Sequence, residues 1–276
     1  MRLGIVCVAL VSAYLPVHTV ASEVDDLAAQ GLEIRRAYDA EIGGEGTCDF
    51  ENTAVRREWN TLTADEKKEY INAVLCLQEL ESIWPRSEVP GVRSRFDDFV
   101  ALHIQQARLV HFTASFLGWH RYYLWTYEEA LRNECGYTGY HPYWNWAEYA
   151  EDPVSNPMFD GSETSLSGND PVTDFIGVHG GGHFITSGDP GGDFYISPGD
   201  PVFYLHHSQI DRIWWIWQNL DPANRLHAVA GDTEMYNPSS RNGTADDLVD
   251  LGYLGDECRL GDLLSATGGP FCYIYQ

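Results

Sequence analysis

Nine of the ten histidines in this 276-residue chain lie between His103 and His227. Six of them form two triplets along the sequence: His103, His111 and His120, then His179, His183 and His207. A polar, titratable side chain does not collect at this density in an ordinary packed core. Neutral imidazole is a preferred ligand for copper, zinc and iron. The fold therefore has to bring rings from well-separated segments around a shared cavity. Two three-imidazole sets, with no matching set of cysteines or carboxylates, point to two copper ions acting together.

The periodicity around the triplets is helical. A helix is expected near Val24 to Ala40, followed by a glycine-rich break at Gly43 to Gly46. Thr63-Ala64-Asp65-Glu66 reads as a capping box that opens a helix running to about Glu81. Phe96, Phe99, Val100 and His103 recur at helical spacing in a second segment, roughly Ser94 to Arg108, which turns His103 inward. A third segment starts close to Gly118 and runs to Arg132, with His120 in its first turn. Between Gly136 and Asp200 the helical signal fades into Gly, Pro, Asp and Ser. A short helix is expected at His179 and His183, weakened by Gly180, Gly181 and Gly182. A clear helix follows from Pro201 to Asn219, and the tail from Ala223 onward reads mostly as loop. No internal repeat or linker divides the chain.

Ligand sets scattered over several helices suit a site assembled across a bundle. His179 and His183 lie one turn apart and can reach one metal. Their HxxxH spacing lacks the Glu of a zinc-protease motif. Of the adjacent pair His206 and His207, only one faces the site, because neighbours on a helix diverge by about 100°. His207 is preferred, since it lies a full turn before Asp211. His206 then becomes a packed or supporting residue, and Asp211 orients the helix or a neighbouring ligand. His141 and His227 read as packing residues.

The formal charge of -24 excludes a nucleic-acid binder, which needs a cationic footprint. It also disfavours anionic membrane surfaces. The start, MRLGIVCVALVSAYLPVHTVA, has the form of a secretory leader cut near Ala21. The expected organisation is a signal peptide at 1–21 and one catalytic domain at 22–276, exported and extracellular. Five cysteines then remain: Cys48, Cys76, Cys135, Cys258 and Cys272. Two bridges and one free thiol is the simplest count. A bridge from Cys48 to either Cys258 or Cys272 would tie the ends to the body. Asn242-Gly243-Thr244 is a glycosylation triplet.

These residues resemble the type-3 copper family of tyrosinases, catechol oxidases and haemocyanins, in particular its short fungal and bacterial tyrosinase-like members. The resemblance rests on VRREWNTLTADEKKEYINAV at 55 to 74, DDFVALHIQQA at 97 to 107, HFTASFLGWHRYYLWTYEEAL at 111 to 131, PYWNW at 142 to 146 and SPGDPVFYLHHSQIDRIWWIWQ at 197 to 218. It implies a mainly α fold: a four-helix bundle core holding a binuclear copper site, with long loops and few short strands. It assigns His103, His111 and His120 to copper A, and His179, His183 and His207 to copper B, with O2 as co-substrate and a small phenol as partner. It implies that Arg56 or Arg57 pairs with Asp211 to lock the ligand helix, and that Phe203 packs under copper B. Tyr273-Ile274-Tyr275 is similar to the tyrosine motif that closes the catalytic domain of the family. No C-terminal plug domain is expected.

Three departures from the family pattern matter. No cysteine lies between His103 and His120, so no thioether to His111 is expected. The residue after His179 is Gly180, where relatives able to deprotonate monophenols carry Asn beside a water-holding Glu; Asp170 and Asp174 are the nearby carboxylates. A bulky gate over copper B is not evident, with Phe184 and Phe194 as candidates. The resemblance thus implies oxidation of ortho-diphenols to ortho-quinones, with weak or absent monophenol hydroxylation. Alternatives are a true tyrosinase, an ortho-aminophenol oxidase and, further off, a non-catalytic oxygen carrier. A two-zinc hydrolase would need carboxylate ligands that these sets lack.

Overall fold

The structure is a computed structural model that describes residues 18–44, 48–150, 152–166, 177–186, 188–237 and 239–276. Residues 1–17 of the expected leader lie outside these, as do Asp170 and Asp174. The side chain of Phe184 is also not among those described.

Helix α1 spans His18–Ile42, longer at both ends than its apolar pattern indicates. It stops where Gly43 turns to φ +93° and donates its N–H to the Asp39 carbonyl. Helix α2 spans Ala64–Glu79 and opens on the expected Thr63–Glu66 capping box. It buries Tyr70, Ala73, Val74 and Leu77, an i, i+3, i+4, i+7 stripe. Helix α3, Arg95–Val110, opens on a second box between Ser94 and Asp97. Helix α4, Phe116–Cys135, ends on Gly136 in the left-handed conformation, where a side chain would be strained. Helix α5 is Gly177–Thr186, and α6 is Val202–Asn219. A single turn, α7, follows at Pro222–Arg225.

Helix α6 is the axis of the molecule. Sixteen of its eighteen residues are buried, because α1, α4 and α5 all pack against it. A helix enclosed on most sides needs apolar or fully partnered residues around its whole circumference, and the run VFYLHHSQIDRIWWIW supplies them. Gly31 lets α1 come close: a side chain there would crowd Cβ of Asn219 at 3.2 Å. Helix α2 packs on α4, and α4 on α6. Between them Trp119, Tyr123, Tyr204 and Tyr127 stack in sequence, at centroid spacings of 4.8, 6.0 and 3.7 Å. These large rings fill the bundle up to the histidine cluster.

Strands are few and short, as expected. β1, Ala54–Arg56, pairs in parallel with β4, Tyr273–Tyr275. Between them in sequence, β2, Leu248–Val249, pairs antiparallel with β3, Cys258–Arg259. The β1–β4 pair is anchored by the Cys48–Cys272 disulfide, with Cα atoms 5.4 Å apart. Of the two partners open to Cys48, Cys272 is the one used. Cys76–Cys135 ties α2 to the end of α4, and Cys258 is the free thiol. Among the described residues no helix is long and apolar enough to cross a membrane.

Candidate metal centre

The first triplet comes from two helices and the joint between them. His103 sits inside α3, His111 caps its C-terminus, and His120 lies in the second turn of α4. The second triplet takes His179 and His183 from α5 and His207 from α6. Each triplet brings its ligand atoms within 4.8 Å of one another. The two adjoin: the His120 and His207 rings stack at 4.4 Å and 10°.

Hydrogen bonds fix which ring nitrogen faces the cavity. Nδ1 of His103 donates to the Tyr195 carbonyl at 2.8 Å, that of His111 to Ala107 at 2.7 Å, and that of His120 to Phe116 at 2.8 Å. Nδ1 of His183 donates to the Gly191 carbonyl at 3.2 Å. A neutral imidazole has one N–H, so a proton on Nδ1 leaves Nε2 as a bare lone pair. Nε2 of His103 and of His120 is buried without a protein partner. In the second triplet the three Nε2 atoms lie 3.2 to 3.4 Å apart. Nε2 of His183, a lone pair by its Nδ1 bond, faces two further ring nitrogens, an arrangement that repels unless a proton or a cation sits among them. The donor set, all imidazole, fits copper.

Protonation does not relieve that repulsion. Burial, the largest cause, holds His103 down to about 3 and His179 down to about 2, with neighbouring imidazoles acting in the same direction. Burial also holds His111 low and pushes His120, His183 and His207 well down. All six rings are neutral at pH 7, the protonation state in which imidazole binds metal.

His206 adjoins the second cluster, and the Nε2 positions separate it from His207. Nε2 of His206 donates to the His179 carbonyl at 2.9 Å, whereas Nε2 of His207 lies 3.4 and 3.2 Å from those of His179 and His183. His206 also explains one glycine of the run in α5. A Cβ on Gly182 would stand 2.1 Å from Cε1 of His206, whereas one on Gly181 would meet nothing within 4 Å. A glycine that weakens a helix in isolation here admits a ring from α6. Gly180, next to His179, presents no side chain. Phe203 does more than pack under one set: its centroid lies 4.2 Å from His207 and 5.3 Å from His103, so it wedges between both. Phe194 lies 4.9 Å from the His111 ring, on the first triplet rather than the second.

The expected clamp on Asp211 is present through Arg56, and a closer cation joins it. Arg57 does not reach it; it pairs with Glu66 at the start of α2. Arg56 stands 3.9 Å from Asp211 and closer, at 2.7 Å, to Glu128. The close cation is Arg121, next to His120 on α4, whose Nε donates to Asp211 at 2.7 Å. The hydroxyls of Tyr273 and Tyr275 donate to the other carboxylate oxygen at 2.6 Å each. Asp211 thus ties α4 and α6, two of the histidine-bearing helices, to strand β4. Sequence reading missed Arg121 and Glu128. An Arg and a Glu inside an otherwise aromatic helix were the available signal, since such charges are rarely buried without partners.

The profile of the common central domain of tyrosinase matches residues 93–177 and 169–220. N-acetyl-6-hydroxytryptophan oxidase ivoB of Emericella nidulans is 31% identical over 345 residues, covering 83% of this chain and 94% of that protein. Tyrosinase-like protein orsC of the same organism is 55% identical over 126 residues, and the match spans only 34% of its length. The structure of a polyphenol oxidase (mutant G292N) from Thermothelomyces thermophila superposes with a TM-score of 0.83 at 28% identity, covering 93% of this chain and 97% of that one. The two imidazole triplets, the enclosed helix that carries His207 and these matched lengths agree: the chain belongs to the tyrosinase family of type-3 copper proteins and is an oxidoreductase of the polyphenol-oxidase type.

Proposed function

We propose that the chain oxidises ortho-diphenols to ortho-quinones with O2, using one copper ion held by His103, His111 and His120 and a second held by His179, His183 and His207. The observation that carries this reading is the pair of adjoining triplets whose ring nitrogens converge while hydrogen bonds hold several of the opposite nitrogens. When bound, a copper pair takes two electrons from a diphenol and delivers electrons to O2, so that two diphenols and one O2 give two quinones and two waters.

The chain's own residues supply position and exclusion. Backbone carbonyls hold four of the six rings by Nδ1, which sets their aim before any ligand arrives. Phe203 and the aromatic stack seal the inner side against water. His179 and His183 are only half-buried, whereas His103, His120 and His207 are buried, so the substrate's approach is from the α5 side. Gly180, beside His179, offers no side chain to hold or receive a phenolic proton. That supports diphenol oxidation with weak or absent monophenol hydroxylation. Export is part of the proposal: a leader at 1–21 is removed and residues 22–276 act as one extracellular catalytic unit.

Oxygen uptake by the copper-loaded protein with catechol, tyrosol and 2-aminophenol tests the reading. Uptake with catechol and little with tyrosol is expected. Tyrosol hydroxylation at a rate comparable to catechol oxidation contradicts the role given to Gly180. Faster turnover of 2-aminophenol than of catechol moves the assignment to ortho-aminophenol oxidation. Mass analysis of protein from culture medium should find a mature chain starting near residue 22.

A further inference from the structure

An apolar cleft opens between the start of α4 and the outer side of α6, with a volume of about 480 Å³. One wall is Ile210, Ile213, Trp214 and Trp217, an i, i+3, i+4, i+7 stripe on α6. Such a stripe normally marks the face a helix buries. Here Ile210 and Trp214 are buried while Trp217 remains 43% exposed, so the outer end of the stripe is left open. Leu117 faces it from α4, and His179 stands at one end. Among the described lining residues His179 is the only one with a titratable side chain.

We infer that this cleft binds an apolar substituent on the diphenol ring, so that the substrate class is catechols bearing a neutral alkyl or aryl chain. The inference rests on the diphenol oxidase reading above. Continuity with the site decides the occupant, because His179 belongs both to the cleft and to the second triplet. A diphenol held by its oxygens at the metals can place a ring substituent past His179 and along the α6 stripe. The cleft falls within the usual size range for small-molecule sites and is larger than one aromatic ring fills. Among the described residues its lining carries no charged side chain, and the formal charge of -24 disfavours a carboxylate-bearing tail. Trp214 and Trp217, each with a guanidinium over its ring (Arg121 at 3.9 Å, Arg225 at 5.1 Å), supply apolar wall to a chain or a second ring.

The test uses copper-loaded protein and the series catechol, 4-methyl-, 4-propyl- and 4-pentylcatechol. In the wild type, kcat/KM should rise about two- to fourfold per added methylene, the gain for burying one CH2 group. The ratio of pentylcatechol to catechol, taken within each protein, should collapse in Trp217→Ala and in Ile213→Asp. Calorimetric titration with n-pentylbenzene, which has no phenolic oxygen, should show one site in the wild type and none in Ile213→Asp. A flat series in the wild type, or no pentylbenzene heat, overturns the inference, and so does sedimentation showing the cleft closed between two copies. If catechol itself is not oxidised, the diphenol reading fails, and the pentylbenzene titration still decides the cleft.

Discussion

The ring of His206 occupies the space that a Cβ on Gly182 would take, so α5 and α6 meet ring against backbone. That contact holds His206 where its Nε2 bonds the His179 carbonyl, and it sets the separation of the two helices that carry the second triplet.

Gly182→Ala should therefore destabilise the protein although alanine favours helix. The propensity gain is about 1 kcal/mol, whereas forcing a ring out of a packed contact costs about 1–3 kcal/mol. Urea denaturation should show a net loss, and copper content should fall from about two per chain toward one as the second site distorts. Unchanged stability and copper content would show that the contact is not required.

Asp211 gathers Arg121, Tyr273 and Tyr275 in a buried network. Asp211→Ala leaves a buried guanidinium without its close anion and should cost about 3–5 kcal/mol. Tyr273→Phe removes one hydrogen bond to a charged group and should cost about 1.5–3 kcal/mol. The order of the two losses in urea melts is the check. An Asp211→Ala cost below that of Tyr273→Phe would mean that Arg121 finds another partner.

Much of this was legible in the sequence. Local rules placed α2, α3, α4 and α6 to within a few residues, because caps and apolar stripes are read from neighbours in the chain. The six histidines were also readable, since four sit on or beside α3, α4 and α6 and two share the short HxxxH of α5. Contacts between distant segments were not. Arg56 is adjacent to Arg57, and nothing local says that one turns inward to Glu128 while the other turns outward to Glu66. The choice of Cys272 for Cys48 depends on the pairing of β1 with β4, a contact across most of the chain. Gly182 looked like a helix weakness because the ring that requires it comes from α6.

His141 sets a pH dependence away from the metal ligands. It is fully buried between Tyr70 and Tyr127, with Glu128 accepting from its backbone N–H. Burial pushes its imidazole down to about 3, and the Arg56 guanidinium acts in the same direction. In the unfolded chain the group titrates near 6.5. Between those values the unfolded chain holds a proton that the folded chain does not. The contribution is complete above about pH 6.5 and is lost as pH falls toward 3, at about 1.4 kcal/mol per unit. Denaturation from pH 7 to 4.5 should show a shallower pH slope in His141→Gln than in wild type. Parallel slopes would mean that His141 protonates in the folded state.

The Cys48–Cys272 bridge closes a loop spanning 224 positions and anchors the strand that carries both Asp211-binding tyrosines. A paired Cys48→Ser, Cys272→Ser variant should lose about 2–5 kcal/mol. It should also bind copper less tightly, because β4 positions Tyr273 and Tyr275. A variant as stable as wild type would show that the β1–β4 pairing needs no covalent anchor.

The proposed centre requires six imidazoles dividing three and three around two ions. Copper per folded chain, measured by elemental analysis on wild type, His120→Ala, His207→Ala and His206→Gln, tests it most directly. The expected values are about two for wild type, about one for each of the two alanine variants, and more for His206→Gln than for His207→Ala. Wild type holding one copper or fewer, or His206→Gln losing an ion while His207→Ala keeps both, would contradict it.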